Sequence, residues 1–103
     1  MEVMYMKTVT IDTKQRNQMI DITSIVEASV RESGIKNGVC YVFVPHTTAA
    51  ITINENADAD VVRDILSKLS KLIPYKDDYR HMEGNSDAHI KASLMGNTLA
   101  VIV

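Results

Sequence analysis

The sequence predicts an α+β fold in which antiparallel or mixed β-sheets pack with two helices. Three observations carry that expectation. Two segments repeat apolar residues at helical spacing, several short segments are β-branched or alternate in polarity, and the strand-like segments mostly follow one another along the chain. With 103 residues, 46% of them hydrophobic, the chain carries one modest core, so residues 1–103 read as one domain.

The elements follow in order. "YMKTVTIDT" at 5–13 alternates Met6, Val9 and Ile11 with polar residues and reads as a half-buried strand. "DITSIVEASVRESG" places Ile22, Ile25, Val26 and Val30 on one helical face, opens with Ser24 and Glu27 in capping-box spacing, and stops at Gly34. "VCYVFV" at 39–44 is a continuous buried-strand run, "AITIN" at 50–54 alternates, and Pro45 to Thr48 supply a turn between them, which predicts a hairpin. Asp58 then heads a second helix, whose apolar stripe runs through Val62, Ile65, Leu66, Leu69, Leu72 and Ile73 before Pro74 ends it. Finally "AHIKASLM", Gly96-Asn97 and "TLAVIV" read as a second hairpin. The last strand is apolar at every position but Thr98, so a subunit or further residues should cover it.

Composition excludes several functions. A net charge of −2 without a run of like charges offers no patch for nucleic acid or an anionic membrane. The N-terminus has no signal-peptide pattern, and no apolar run approaches the ~20 residues of a membrane span. A cytoplasmic protein is expected. Cys40, the one cysteine, lies in an apolar run and reads as a small buried hydrophobe.

Two polar segments concentrate the chemistry. In "VPHTTAAITINENADAD", His46 follows a strand and a proline, while Asn54, Glu55, Asn56 and Asp58 gather before a helix. Asp58 fits a helix cap as well as a site residue. In "YRHMEGNSDAHIKAS", His81 and His89 bracket Glu83, Asn85 and Asp87. Three imidazoles, His46, His81 and His89, match the protein ligands of a catalytic zinc, with Asp87 placed to orient one of them. No zinc spacing such as HExxH supports this, and each histidine also fits a hydrogen bond to backbone. Asp58 and Asp60 put negative charge in the first turn of their helix, so a phosphate there requires Mg²⁺ held by Glu55 and Asp58.

"HTTAAITINENAD" and "YRHMEGNSDAHIKASLMG" resemble the two signature segments of the YjbQ-like family, also described as secondary thiamine-phosphate synthase, and the resemblance covers nearly the whole chain. It implies an α+β homotrimer with polar clefts near subunit boundaries, acting on a phosphorylated small molecule. The implied reaction joins a pyrimidine diphosphate to a thiazole phosphate and releases pyrophosphate. Carried onto this chain, it makes Glu55, Asn56, Asp58, Asn85 and Asp87 catalytic candidates, Asn54, Glu83 and Ser93 substrate-binding ones, and His46, His81 and His89 ligands of a divalent metal, Mg or Zn. A non-catalytic trimeric module binding a metal or anion is the alternative. The family pattern continues past "TLAVIV" into a hairpin with a Gly-Thr-Trp-Gln segment, whereas this chain has no tryptophan. A hairpin at 39–54 would hold His46 and Asn54–Asp58 roughly 20 Å apart. Glu83 to Asp87 would then meet only one of these groups, which an adjacent subunit would supply.

Overall fold

The computed structural model describes residues 4–103. The element order is α1 (Thr23–Ser33), β1 (Val39–Phe43), α2 (Ala59–Leu72), α3 (Ser86–Met95) and β2 (Thr98–Ile102). The fold is α+β, with helices beside a two-stranded antiparallel ribbon of β1 and β2.

Both helices expected from the sequence form. α1 starts at Thr23, and its entry is fixed by Asp21, whose Oδ1 accepts from the Thr23 N–H at 2.9 Å and hydroxyl at 2.6 Å. Ser24 and Glu27 therefore lie inside the helix, and the capping box read from their spacing is not formed. Gly34 ends α1 at φ 72°, the left-handed region open to a residue without Cβ, and its N–H reaches the Arg31 carbonyl at 3.2 Å. α2 starts at Asp58, whose carboxylate accepts from the Asp60 N–H at 2.9 Å. Val61, Val62, Ile65, Leu66 and Leu69 turn its half-buried stripe inward. The stripe ends at Ile73, 8% exposed, directly before Pro74.

Three expectations about strands are overturned. Residues 5–13 form no strand: Met6 is 89% exposed, so their alternation buries no face, and Tyr5 and Lys7 instead donate to the Glu32 carboxylate of α1 at 3.2 and 2.6 Å. Residues 50–54 form no strand either, because the partner of β1 is β2, in the register Val39↔Ile102 to Phe43↔Thr98. The chain beyond β1 runs past the end of α3, where the Val44 and Ile51 N–H groups donate to the carbonyls of Asn97 and Gly96 at 2.9 and 3.0 Å. "AHIKASLM" is not a strand but the body of α3. Ala88, Ile90, Ala92 and Leu94 alternate, yet Ile90 and Leu94 are exposed, while Ser86, His89 and Ser93 line up at i, i+3 and i+7 on one helical face.

The ribbon has one half-buried face, with Cys40, Val42, Leu99 and Val101. Its other face bears Val39, Tyr41, Phe43 and Ile102, all exposed, rather than being covered within the chain. Among the described residues no helix is long and apolar enough to cross a membrane.

Candidate functional site

α3 organises the site. The chain turns at Gly84, φ 76°, and enters the helix through Asn85, whose carbonyl accepts from the N–H groups of Ala88 and His89 at 3.1 and 3.3 Å. Two residues later Asp87 is 1% exposed, the most buried polar residue described. Its Oδ1 accepts from Arg16 Nη2 at 3.0 Å, and its Oδ2 lies 3.7 Å from Lys91 Nζ one turn along the helix. Arg16 also donates to the Gly84 carbonyl at 3.2 Å, with its guanidinium 3.3 Å above the centre of the Tyr75 ring. Lys91 in turn donates to Asn17 Oδ1 at 2.9 Å. A carboxylate withdrawn from water needs cationic and hydrogen-bonding partners, and Asp87 has both.

With Asp87 anchored inward, the helical face of Ser86, His89 and Ser93 is presented outward. The His81 and His89 rings meet edge to face, centroids 5.4 Å apart and planes at 85°. Together with Arg80, Tyr79 and Ser86 they line an open cavity of about 520 Å³. Tyr79 donates its hydroxyl to the Pro74 carbonyl at 2.6 Å, and partial desolvation, then the charges of Asp77 and Asp87, raise its pKa above the ordinary phenol value. It stays a neutral donor. A second cavity of about 460 Å³ is lined by His46, Thr47, His89, Ser93 and Asn97. His89 is common to both.

The sequence candidates separate accordingly. His46, His81, His89 and Ser93 surround the two cavities, although the Ser93 hydroxyl donates to the His89 carbonyl at 2.9 Å and keeps only its lone pairs for a ligand. Glu83 lies beside the first cavity, 3.8 Å from His81 Nε2. Asn85 Oδ1 is buried without a hydrogen-bond partner at the start of α3, while Asp87 faces Arg16 and Lys91. The other group has local duties. Asn54 Oδ1 accepts from the Glu55 N–H at 2.7 Å, Asn56 Nδ2 donates to Asp21 Oδ2 at 2.8 Å, and Asp58 caps α2. None of Asn54, Glu55, Asn56 or Asp58 lines either cavity.

One geometric expectation is corrected: residues 88–95, read as a strand carrying His89 towards a neighbouring subunit, belong to α3, and His46 and His89 line one cavity within a single chain. Among the described residues no three His, Cys, Asp or Glu side chains gather as an ion site, and the three imidazoles are spread over two cavities that share His89. Sequence reasoning missed Arg16, Tyr75, Thr47, Arg80, Ser86 and Asn97. Arg80 and Ser86 lie inside the histidine-bearing segment, and Ser86 becomes visible once 86–95 is read as a helix, whereas nothing in "TKQRNQ" singles out Arg16.

These features define a class: a small α+β protein whose imidazoles and hydroxyls gather around one helix. The chain belongs to the UPF0047 protein YjbQ-like family, whose model matches residues 7–103. It is 50% identical over 99 residues to the UPF0047 protein YugU of Bacillus subtilis, covering 95% of this chain and 75% of that one. A UPF0047 protein of Methanocaldococcus jannaschii is 50% identical over 93 residues, covering 90% of this chain and 67% of that one. A crystal structure of a family member from Clostridium acetobutylicum superposes with a TM-score of 0.88 at 57% identity, over 90% of this chain and 72% of that one. A Sulfolobus solfataricus protein, described as YbjQ-like and of unknown function, gives a TM-score of 0.86 at 36% identity, over 90% of this chain and 68% of that one.

Proposed function

We propose that the protein binds a small phosphorylated molecule at the two cavities around His89. The observation that carries this reading is the position of His89, edge to face with His81 beside Arg80 and Ser86 on one side, and facing His46 and Thr47 on the other. Arginine, imidazole and hydroxyl donors are the groups that hold phosphate oxygens, and Arg80 supplies a permanent positive charge. The reaction the family resemblance suggests is thiamine phosphate formation from a pyrimidine diphosphate and a thiazole phosphate. In that reaction His81, Arg80 and Ser86 hold the leaving pyrophosphate, and His46 and Thr47 orient the second reactant by proximity. Mg²⁺, if bound, would neutralise pyrophosphate charge and would be held mainly by substrate oxygens and water, since no three ligating side chains gather among the described residues.

The decisive assay incubates the purified chain with both substrates, with and without Mg²⁺, and measures thiamine phosphate. Turnover that His89→Ala abolishes supports the synthase reading, and no turnover in the wild type removes it. A second reading is favoured by the carboxylates: Asp87 is paired with Arg16 and Asp58 is occupied as a cap, which suits a non-catalytic trimeric module holding an anion or metal through the histidines alone. Binding of inorganic pyrophosphate or Zn²⁺ without turnover marks that case. The trimer is suggested by the family resemblance and by the exposed apolar face of the ribbon.

A further inference from the structure

We infer that Arg16 is a positioning residue that sets the His81–His89 pair through two contacts on the segment between them. The inference rests on the reading of that pair as a binding centre. The loop and helical turn from His81 to His89 contain one positive-φ glycine and few apolar anchors, and Met82 at its tip is 96% exposed. One guanidinium grips this segment at two points, the Gly84 carbonyl at 3.2 Å and the Asp87 carboxylate at 3.0 Å. Gly84 is three residues after His81, and Asp87 is two residues before His89. Fixing both points fixes where the turn ends and how α3 is rotated about its axis, and so the angle at which His89 meets His81. The guanidinium is itself held flat on Tyr75, which follows α2, at 3.3 Å.

Only arginine meets this set of demands. Its planar fork donates in two directions while stacking on an aromatic face, whereas a lysine ammonium offers one compact centre without the flat face. Arg16 does not line either cavity, so it acts through the two histidines rather than on a ligand. The opposite oxygen of Asp87 faces Lys91, which keeps the carboxylate charge partly balanced when Arg16 is replaced.

The test uses the full chain and two variants, Arg16→Lys and Arg16→Gln, with Arg63→Gln as control, since among the described residues Arg63 pairs only with exposed Asp60 on α2 at 2.8 Å. The first readout needs no ligand. In the wild-type background, His81→Ala is expected to shift the His89 ring-proton NMR resonances, because the rings are in edge-to-face contact. That cross-shift is expected to be lost in both Arg16 backgrounds and kept in the Arg63→Gln background. The second readout is inorganic pyrophosphate binding, expected to weaken about tenfold in both variants, as when a misplaced imidazole loses one charge-assisted hydrogen bond to the anion. A cross-shift that survives intact in folded Arg16→Lys or Arg16→Gln overturns the inference and leaves Arg16 a purely structural contact. Wild-type protein that fails to bind pyrophosphate sinks the proposed phosphate site instead, while the ligand-free cross-shift still decides the role of Arg16.

Discussion

Asn56 Nδ2 donates to Asp21 Oδ2 at 2.8 Å across 35 positions of sequence, joining the start of α2 to the start of α1. The Asp21 carboxylate accepts from Thr23 as well, and these hydrogen bonds, the Thr23 hydroxyl's first, then the Thr23 backbone's and Asn56's, hold its pKa below the ordinary 3.8. A group with a depressed folded pKa contributes stability that is fully present above its unfolded value and is lost as pH falls through the folded one. Urea midpoints followed downward from pH 7 should therefore fall below about pH 4 in the wild type, and fall less steeply there in Asp21→Asn. Asn56→Ala should move the Asp21 titration up toward its ordinary range and leave pyrophosphate binding unchanged. A loss of binding would return Asn56 to the site.

Asp58→Ala should lower stability by about 1 kcal/mol, the typical cost of deleting an N-cap, in urea unfolding. The effect should not depend on Mg²⁺. A midpoint that Mg²⁺ raises in the wild type but not in the variant would show instead that the carboxylate holds the cation.

His89→Ala should weaken pyrophosphate binding more than His46→Ala or His81→Ala does, by about tenfold over either, because it alone removes a wall from both cavities. Isothermal titration of the three variants ranks them. Equal losses would mean that the cavities do not act together.

The exposed ribbon face predicts association. Light scattering at micromolar concentration should give a trimer for the wild type, and Tyr41→Asp or Ile102→Asp, at positions 72% and 87% exposed, should shift it toward monomer without unfolding it. A wild-type monomer removes the trimer.

What the sequence made legible follows from the range of the physics involved. α2 was readable because its stripe, cap and terminating proline all lie within one segment, and Gly34 marked the end of α1 for the same reason. The pairing of β1 was not, since a period of two shows that a strand forms but not which distant strand completes it. α3 was misread because its apolar residues alternate while its polar residues keep helical spacing, and the polar set defines the face that matters. Of the four cavity residues, His46, His81 and His89 were visible as unusual chemistry in two polar segments, and Ser93 came only from the family resemblance. Their arrangement was not visible, because it rests on contacts between distant segments, such as those of Arg16 with Gly84 and Asp87, that only the folded chain creates.

The ribbon also governs how the molecule is assembled in time. β1 and β2 enclose α2, α3 and both histidine-bearing segments between them, so the only sheet among the described residues cannot zip until all of that chain has been made. Its closure is a long-range event whose entropic cost rises by only about 0.6 kcal/mol for each doubling of the enclosed length, yet such contacts slow folding far more than local ones do. α1 and α2, held by caps within a few residues, can form while the chain is still being synthesised. The second cavity must wait, because His46 lies three residues after β1 and Asn97 directly precedes β2.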